Sequence, residues 1–351
     1  MADLVVAGAG MAGLAAAARA RELGATVELL EKGDRPGGSM LLSSGFIWRH
    51  RSFEDFRREC PGGDPELQRV VWERLDDALD WLEKLGAPVE ERETGNPLTV
   101  GRRFHPRALT ELLVARAGPV RLCSPLNELP DGVPVVLATG GFQGDRSLVR
   151  EHVTPEAEHL LLRANPWSSG DGLRLGLSAG ASLSDGMGDF YGRNMPAPPA
   201  AVAPEDFVRL AQLYARYARV ENSDGERFET RTWSEIDVVQ WTARQPGARA
   251  RYVVPGSALG ERVRERTVGE MIAAAEAAGA PVTRGKGTTT VEVVAAITTT
   301  LGGLRVDATA RAADGVFAAG TDAGGIATGG YSSGLAAALV LGLVAAEATL
   351  A

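Results

Sequence analysis

Six residues near the start of the chain, Gly8-Ala9-Gly10-Met11-Ala12-Gly13, have the spacing G-x-G-x-x-G and lie between an apolar run and an Ala-rich stretch. In that setting Gly8 permits a tight turn, Gly10 lets a pyrophosphate approach the backbone, and Gly13 lets strand and helix pack closely. The unpaired N–H groups and the dipole at the helix start stabilise phosphate charge. Glu31 closes the next apolar run, where a carboxylate accepts hydrogen bonds from a ribose 2′-hydroxyl and repels a 2′-phosphate. The chemistry read from these residues is dinucleotide binding, with NADP disfavoured. NAD and FAD both satisfy the motif. The far end of the chain favours FAD: Phe317-Ala318-Ala319-Gly320-Thr321-Asp322 is an apolar run feeding a loop, followed by Gly324-Gly325, and it delivers Asp322 to a second polar stretch of a long ligand.

Other reactive residue types give weaker signals. Cys60 and Cys123 have no partner at metal or redox spacing, so neither a disulfide framework nor a zinc site is implied. The four histidines, His50, His105, His152 and His159, lack metal-ligand spacing and a nucleophile partner, and are read as ordinary surface or loop residues. A net charge of -8, with scattered arginines, argues against nucleic acid as a partner.

The elements that must position the nucleotide residues are legible from periodicity. Asp3–Ala7 reads as a buried strand, Gly10–Leu23 as a helix and Thr26–Leu30 as a second strand, a βαβ unit. Helical spacing recurs over Pro65–Leu85 and Pro106–Ala117, and Val120–Leu122, Val135–Ala138 and Gly315–Ala319 are strand candidates. Between Gly186 and Val291 prolines cluster and aromatics become denser, with helices expected at Phe207–Ala218 and Thr267–Ala278. The expected organisation is a cofactor domain at 1–186, an inserted domain at 187–290 and a return to the first domain at 291–351. The N-terminus lacks a secretory pattern, and the apolar C-terminal run from Gly334 carries Glu347 and is rich in Ala and Gly. Cytoplasmic residence and no membrane span are expected.

Together these pieces resemble the FAD-binding domain of the fumarate reductase/succinate dehydrogenase flavoprotein superfamily, which includes the ketosteroid dehydrogenases. The resemblance is carried by Glu31-Lys32, Gly37-Gly38-Ser39, Ser43-Ser44-Gly45, Ala138-Thr139-Gly140-Gly141-Phe142, Ser169-Gly170-Asp171-Gly172 and Ala319-Gly320-Thr321-Asp322, in that order. It implies an α/β fold: a Rossmann-like FAD-binding domain with a small inserted α+β capping domain. It also implies that Ala12 and its neighbouring glycines face the pyrophosphate, and that Glu31, followed by Lys32, takes the adenosine ribose. Gly38, Ser39, Met40, Ser44 and Gly45 would border the flavin and ribityl chain. Thr139, Gly140, Thr299 and Gly320 would line the cofactor, Asp171 and Asp322 would bond its hydroxyls, and Leu335 with Ala336 would present a helix start to the flavin. A helix N-terminus there would favour the negative charge of reduced flavin. The superfamily's covalent members attach FAD through a histidine near the Gly-Gly-Ser stretch; none stands there in this chain, so noncovalent FAD is expected.

The catalytic pattern departs from fumarate reductases. Thr298 aligns with their substrate histidine before Thr299-Thr300-Leu301-Gly302-Gly303, Glu235 falls at the proton-donating arginine that follows Glu226–Arg231, and Tyr331 replaces the last arginine. Two carboxylates leaving water need compensating charge, so a dicarboxylate is disfavoured, although Arg231 offers one cation. Gly329-Gly330-Tyr331-Ser332-Ser333-Gly334 resembles the ketosteroid 4-dehydrogenase branch, which implies Tyr331 as acid/base and Ser333 as proton relay or carbonyl donor. Ser333 equally suits the N-cap of the last helix, with Tyr331 packing under the flavin. Tyr191, Tyr214, Tyr217 and Tyr252 are further candidate proton carriers. The expected function is dehydrogenation or reduction of a carbonyl-activated C–C bond in a largely neutral small molecule, such as a polycyclic or aromatic ketone, with an unidentified electron partner. An oxidase or hydroxylase on the same scaffold, or a noncatalytic flavin protein, stands as the alternative.

Overall fold

The computed structural model describes residues 2–351. Its first compact unit comprises the described residues up to 145, with 165–189 and 299–351, and its second comprises 146–164 and 190–298. In the first unit, β1 (Leu4–Ala7), α1 (Met11–Glu22) and β2 (Val27–Leu30) form the expected βαβ start. They are followed by β3 (Phe46–His50), α2 (Phe53–Glu59), α3 (Pro65–Leu85), β4 (Val89–Glu91), β5 (Thr99–Phe104), α4 (Pro106–Ala117), β6 (Val120–Arg121) and β7 (Val135–Leu137). The unit is completed by α5 (Asp171–Ser178), β8 (Arg311–Ala313), β9 (Val316–Ala318) and α6 (Gly334–Thr349).

The main sheet runs β8-β9-β7-β1-β2-β6, parallel throughout except for the β8–β9 pair. Every residue of β1, β7 and β9 is buried, the unbroken apolar pattern of parallel strands covered on both faces. Helix α6 is buried along Ala336–Ala346 and packs on α1; a Cβ on its Gly342 would stand 2.5 Å from the Ala12 carbonyl oxygen. No described helix is long and apolar enough to cross a membrane. A small antiparallel sheet, β3-β5-β4, was not anticipated. Its strands are short, β3 being mostly buried and β4 and β5 mostly half-exposed or exposed, and none shows a regular alternation to read.

The second unit is built on the long strand Thr288–Thr300, whose last two residues return to the first unit. It pairs antiparallel with Arg249–Pro255 and Val282–Gly285, and parallel with Leu161–Leu162. That last pairing, with Thr154 Oγ1 donating to the Ala243 carbonyl, groups 146–164 with this unit, whereas the sequence boundaries placed it in the cofactor domain. The expected helix at Phe207–Ala218 is a correction: only one-turn 3₁₀ segments form there, Pro204–Asp206 before it and Ala215–Tyr217 within it. The Gln212 N–H goes to the Asn194 carbonyl, and the Phe207 carbonyl accepts from Arg163, so cross-segment bonds replace the helical ladder.

Candidate functional site

At the carboxyl end of β1, the Gly8 N–H donates to the Leu30 carbonyl at 2.7 Å and the chain turns into α1. Gly8 has φ +104, and a Cβ there would stand 2.2 Å from the Ala138 carbonyl oxygen; a Cβ on Gly13 would stand 1.8 Å from the Gly8 oxygen. Gly8 is demanded by its left-handed φ and by the close approach of the turn to the end of β7, and Gly13 by the packing of α1 on that turn. Gly10 is different. It is the N-cap of α1 in an extended conformation any residue adopts, no side chain caps the helix, and a Cβ there would meet nothing within 4 Å. The open cradle at Gly10, over the orphan N–H groups of a helix start, fits a pyrophosphate.

Glu31 is buried and already committed: its Oε2 accepts from the Ala9 N–H at 2.8 Å and its Oε1 from the Gly33 N–H at 2.7 Å. It locks the fingerprint loop to the turn after β2, and each oxygen keeps a second lone pair for a ribose. Glu31→Gln, which keeps one of these acceptors and replaces the other with a donor, is expected to weaken FAD retention at least tenfold, because a charged hydrogen bond is worth about 1.5–3 kcal/mol. Fluorescence titration of the apoprotein with FAD checks this, and an unchanged affinity would contradict the placement.

The remaining candidate residues converge on the same end of the sheet. The Gly37 N–H donates to the Ala9 carbonyl, and a Cβ on Gly38 would stand 3.3 Å from the Gly10 Cα, so the segment Gly38–Leu42 begins beside the cradle. Within it Ser39 Oγ accepts from the Asn165 N–H and Met40 is buried; beyond it Ser44 is exposed and Gly45 packs against the Phe104 carbonyl. Gly320 lies against Ala12, its would-be Cβ 3.1 Å from that methyl. Thr299 and Thr321 hydroxyls meet at 2.9 Å.

The two aspartates have partners in the protein. Asp322 is buried, and it accepts from the backbone N–H and hydroxyl of Thr139 and from the Gly141 N–H at 3.0 Å, clasping the turn that contains Gly140. Burial pushes its carboxyl up against those three hydrogen bonds. Asp171, the first residue of α5, pairs with Lys32 Nζ at 2.7 Å, and that ammonium also donates to Ser169 Oγ. Lys32 therefore holds Asp171 rather than standing alone.

Ser333 is the N-cap of α6 and accepts from the Ala336 N–H at 3.3 Å, which places Leu335 and Ala336 in the first turn. Tyr331, half-buried two residues earlier, has its ring edge-on to Trp48 at 5.4 Å between centroids. Three sequence readings are corrected. His50 is not a surface residue but fully buried, its Nε2 3.4 Å from the Tyr331 carbonyl oxygen. Tyr214 and Tyr252 are not proton carriers: both are fully buried in the core of the second unit, where burial drives their hydroxyls far above their ordinary pKa. His105 caps α4 through the Ala108 N–H.

In the second unit Glu235 is buried in a left-handed conformation, with Arg216 Nε at 3.7 Å and Arg193 also nearby; burial raises its carboxyl. The Thr298 hydroxyl accepts from Arg163 Nη1 at 3.0 Å, a pairing across 135 positions that no local pattern announces. That guanidinium also gives two donors to the Phe207 carbonyl. The Arg231 side chain is exposed.

With this geometry in place, residues 3–123 and 131–335 match the family described as "FAD binding domain". The chain is 27% identical over 235 residues to a fumarate reductase (cytochrome) of Shewanella frigidimarina, which covers 52% of this chain and 40% of that protein. It is 26% identical over 278 residues to a vinyl phenol reductase of Lactiplantibacillus plantarum, covering 64% of this chain and 56% of that one. Its fold superimposes on the 3-ketosteroid-delta4-(5alpha)-dehydrogenase of Rhodococcus jostii RHA1 with a TM-score of 0.73 and 20% identity, covering 99% of this chain and 96% of that one. The matched stretch thus spans less than two thirds of either curated relative.

Proposed function

This chain belongs to the FAD binding domain family, and from that premise we propose that it is a flavin-dependent oxidoreductase acting on a C–C bond activated by a neighbouring carbonyl. The observation that carries the reading is the loop entering α6: Tyr331 and the capping Ser333 stand in the same compact unit as the nucleotide cradle. FAD, when bound, supplies a hydride acceptor or donor. The chain's own task is then the proton and the carbonyl. The Tyr331 hydroxyl exchanges the proton with the carbon next to the carbonyl. Ser333 Oγ accepts from the Ala336 N–H, which leaves its O–H to polarise the carbonyl oxygen and strengthens it as a donor.

A largely neutral substrate follows from what stands at the positions where the resemblance puts cations. Thr298, Glu235 and Tyr331 carry no positive charge, and Arg163, which reaches Thr298, already serves the Phe207 carbonyl. The ketosteroid dehydrogenase and the vinyl phenol reductase among the similar proteins point to the same class by their names. The flavin is held without a covalent bond, since residues 37–45 contain no histidine. Acid or heat denaturation is therefore expected to release intact FAD into solution; colour remaining with the precipitated chain would overturn this. The reaction class is tested by anaerobic mixing of the holoprotein with saturated ketones, and of its reduced form with enones and fumarate, following flavin absorbance. Bleaching by a ketone or reoxidation by an enone is expected, and turnover with fumarate alone would replace this reading with dicarboxylate reduction.

A further inference from the structure

The loop that carries Tyr331 is held from behind by groups that the proposed reaction does not use. His50, the last residue of β3, has Nε2 3.4 Å from the Tyr331 carbonyl oxygen, while its Nδ1 is buried with no hydrogen-bond partner. A neutral imidazole has one donor and one acceptor nitrogen, so with only a carbonyl in reach the proton belongs on Nε2 and the idle lone pair on Nδ1. Burial lowers the pKa of this ring, which keeps it in that neutral form.

The ring is fixed on its faces and edges as well. It stacks on Phe56 at 5.2 Å and meets Trp48 edge-on at 5.4 Å, and Trp48 in turn meets the Tyr331 ring. The His50 carbonyl accepts from Trp72 Nε1 at 3.0 Å, fastening the end of β3 to α3. On the other side of the loop, Cys60 is buried, with its Cα 3.2 Å from a would-be Cβ on Gly330, and burial pushes its thiol up to about 12. A Cβ on Gly330 would stand 1.6 Å from the Glu59 carbonyl oxygen, so loop and helix end touch backbone to backbone.

A phenylalanine at position 50 would fill this space and bury no idle nitrogen. The one side-chain hydrogen bond that the imidazole contributes is the one to Tyr331. We infer that His50 is a positioning residue: its Nε2–H fixes the Tyr331 carbonyl and, with Trp48 against the phenol ring, sets where the Tyr331 hydroxyl stands, while Cys60 packs against the same loop from the other side. This rests on the reading of Tyr331 as the acid/base.

The test uses holoprotein labelled with 13C at the tyrosine Cζ, the Tyr331 resonance being assigned by its loss in Tyr331→Phe. In His50→Phe the Tyr331 resonance is expected to shift or broaden at unchanged flavin content, and flavin reduction by an accepted ketone to slow tenfold to a hundredfold, as a misplaced reacting group does. His50→Gln, whose amide places a donor near Nε2, is expected to restore both. An unmoved resonance in His50→Phe overturns the positioning role. If His50→Phe does not fold, Cys60→Ala must move the same resonance, and its failure to do so overturns the proposal equally. A shifted resonance in a protein whose Tyr331→Phe variant keeps full turnover upholds the positioning and removes the acid/base role, so the two readings fail separately.

Discussion

Replacing Gly10 by valine is expected to yield a folded, colourless protein. The backbone at Gly10 is extended, a conformation valine favours, and nothing of the protein lies within 4 Å of the added Cβ. The protein itself therefore has no packing reason to exclude a side chain here; the cost is confined to a poorer N-cap, of order 1 kcal/mol. A bound pyrophosphate does have a reason, because the branched methyl groups fill the space through which it must reach the helix N–H groups. FAD affinity should fall at least a hundredfold, a loss of about 2.8 kcal/mol or more. Gly13→Ala is the contrasting variant: its methyl would enter the Gly8 carbonyl, so strand and helix must separate and the melting temperature must drop. Thermal melts with flavin absorbance distinguish the two. A Gly10→Val protein that stays yellow at wild-type affinity would remove the pyrophosphate from this turn.

That contrast also shows what the sequence could and could not reveal. G-x-G-x-x-G placed all three glycines, and β1, α1 and β2 follow because short, largely apolar strands flank an alanine helix. The motif assigns Gly8 and Gly13 to turn and packing and Gly10 to open space, and the fold agrees: a Cβ would collide at the first two and meet nothing at the third. Helices α3 and α4 match their expected bounds because each begins at a proline preceded by a capping side chain, Asp64 and His105. The segment Phe207–Ala218 misled because its apolar spacing is helical while its backbone partners, Asn194 and Arg163, are distant in sequence. His50 was missed for the same reason. Metal spacing and a nearby nucleophile are all that the sequence offers to judge a histidine by, whereas its burial arises from Trp48, Phe56 and a loop 281 residues away. Glu31 and Asp322 stand out in the sequence only as carboxylates beside glycine-rich turns. Their bonds to Ala9, Gly33, Thr139 and Gly141 are tertiary and left no mark on the chain.

The most demanding expected result concerns the hydroxyl of Tyr331. Tyr331→Phe keeps the ring against Trp48 and leaves the His50 hold on the backbone carbonyl intact, so flavin content and stability should match the wild type. Loss of a positioned acid/base typically costs a hundredfold or more in rate, about 2.7 kcal/mol of barrier. Anaerobic flavin reduction by an accepted ketone should slow by that factor in single-turnover mixing. Substrate affinity should change far less, because the hydroxyl acts on a proton that moves only in the transition state. Ser333→Ala needs a different comparison. Its hydroxyl caps α6, so its removal costs about 0.5–2 kcal/mol of stability before any chemistry is counted, and rates must be compared at equal flavin loading. If Ser333 also polarises the carbonyl, the loaded variant remains slow; if it only caps the helix, loading restores the rate. Tyr214 and Tyr252 cannot take over in a Tyr331→Phe protein, being sealed in the second unit with hydroxyls that burial keeps protonated. Full turnover by flavin-loaded Tyr331→Phe would thus remove this hydroxyl from the mechanism and shift the proton transfer to Ser333.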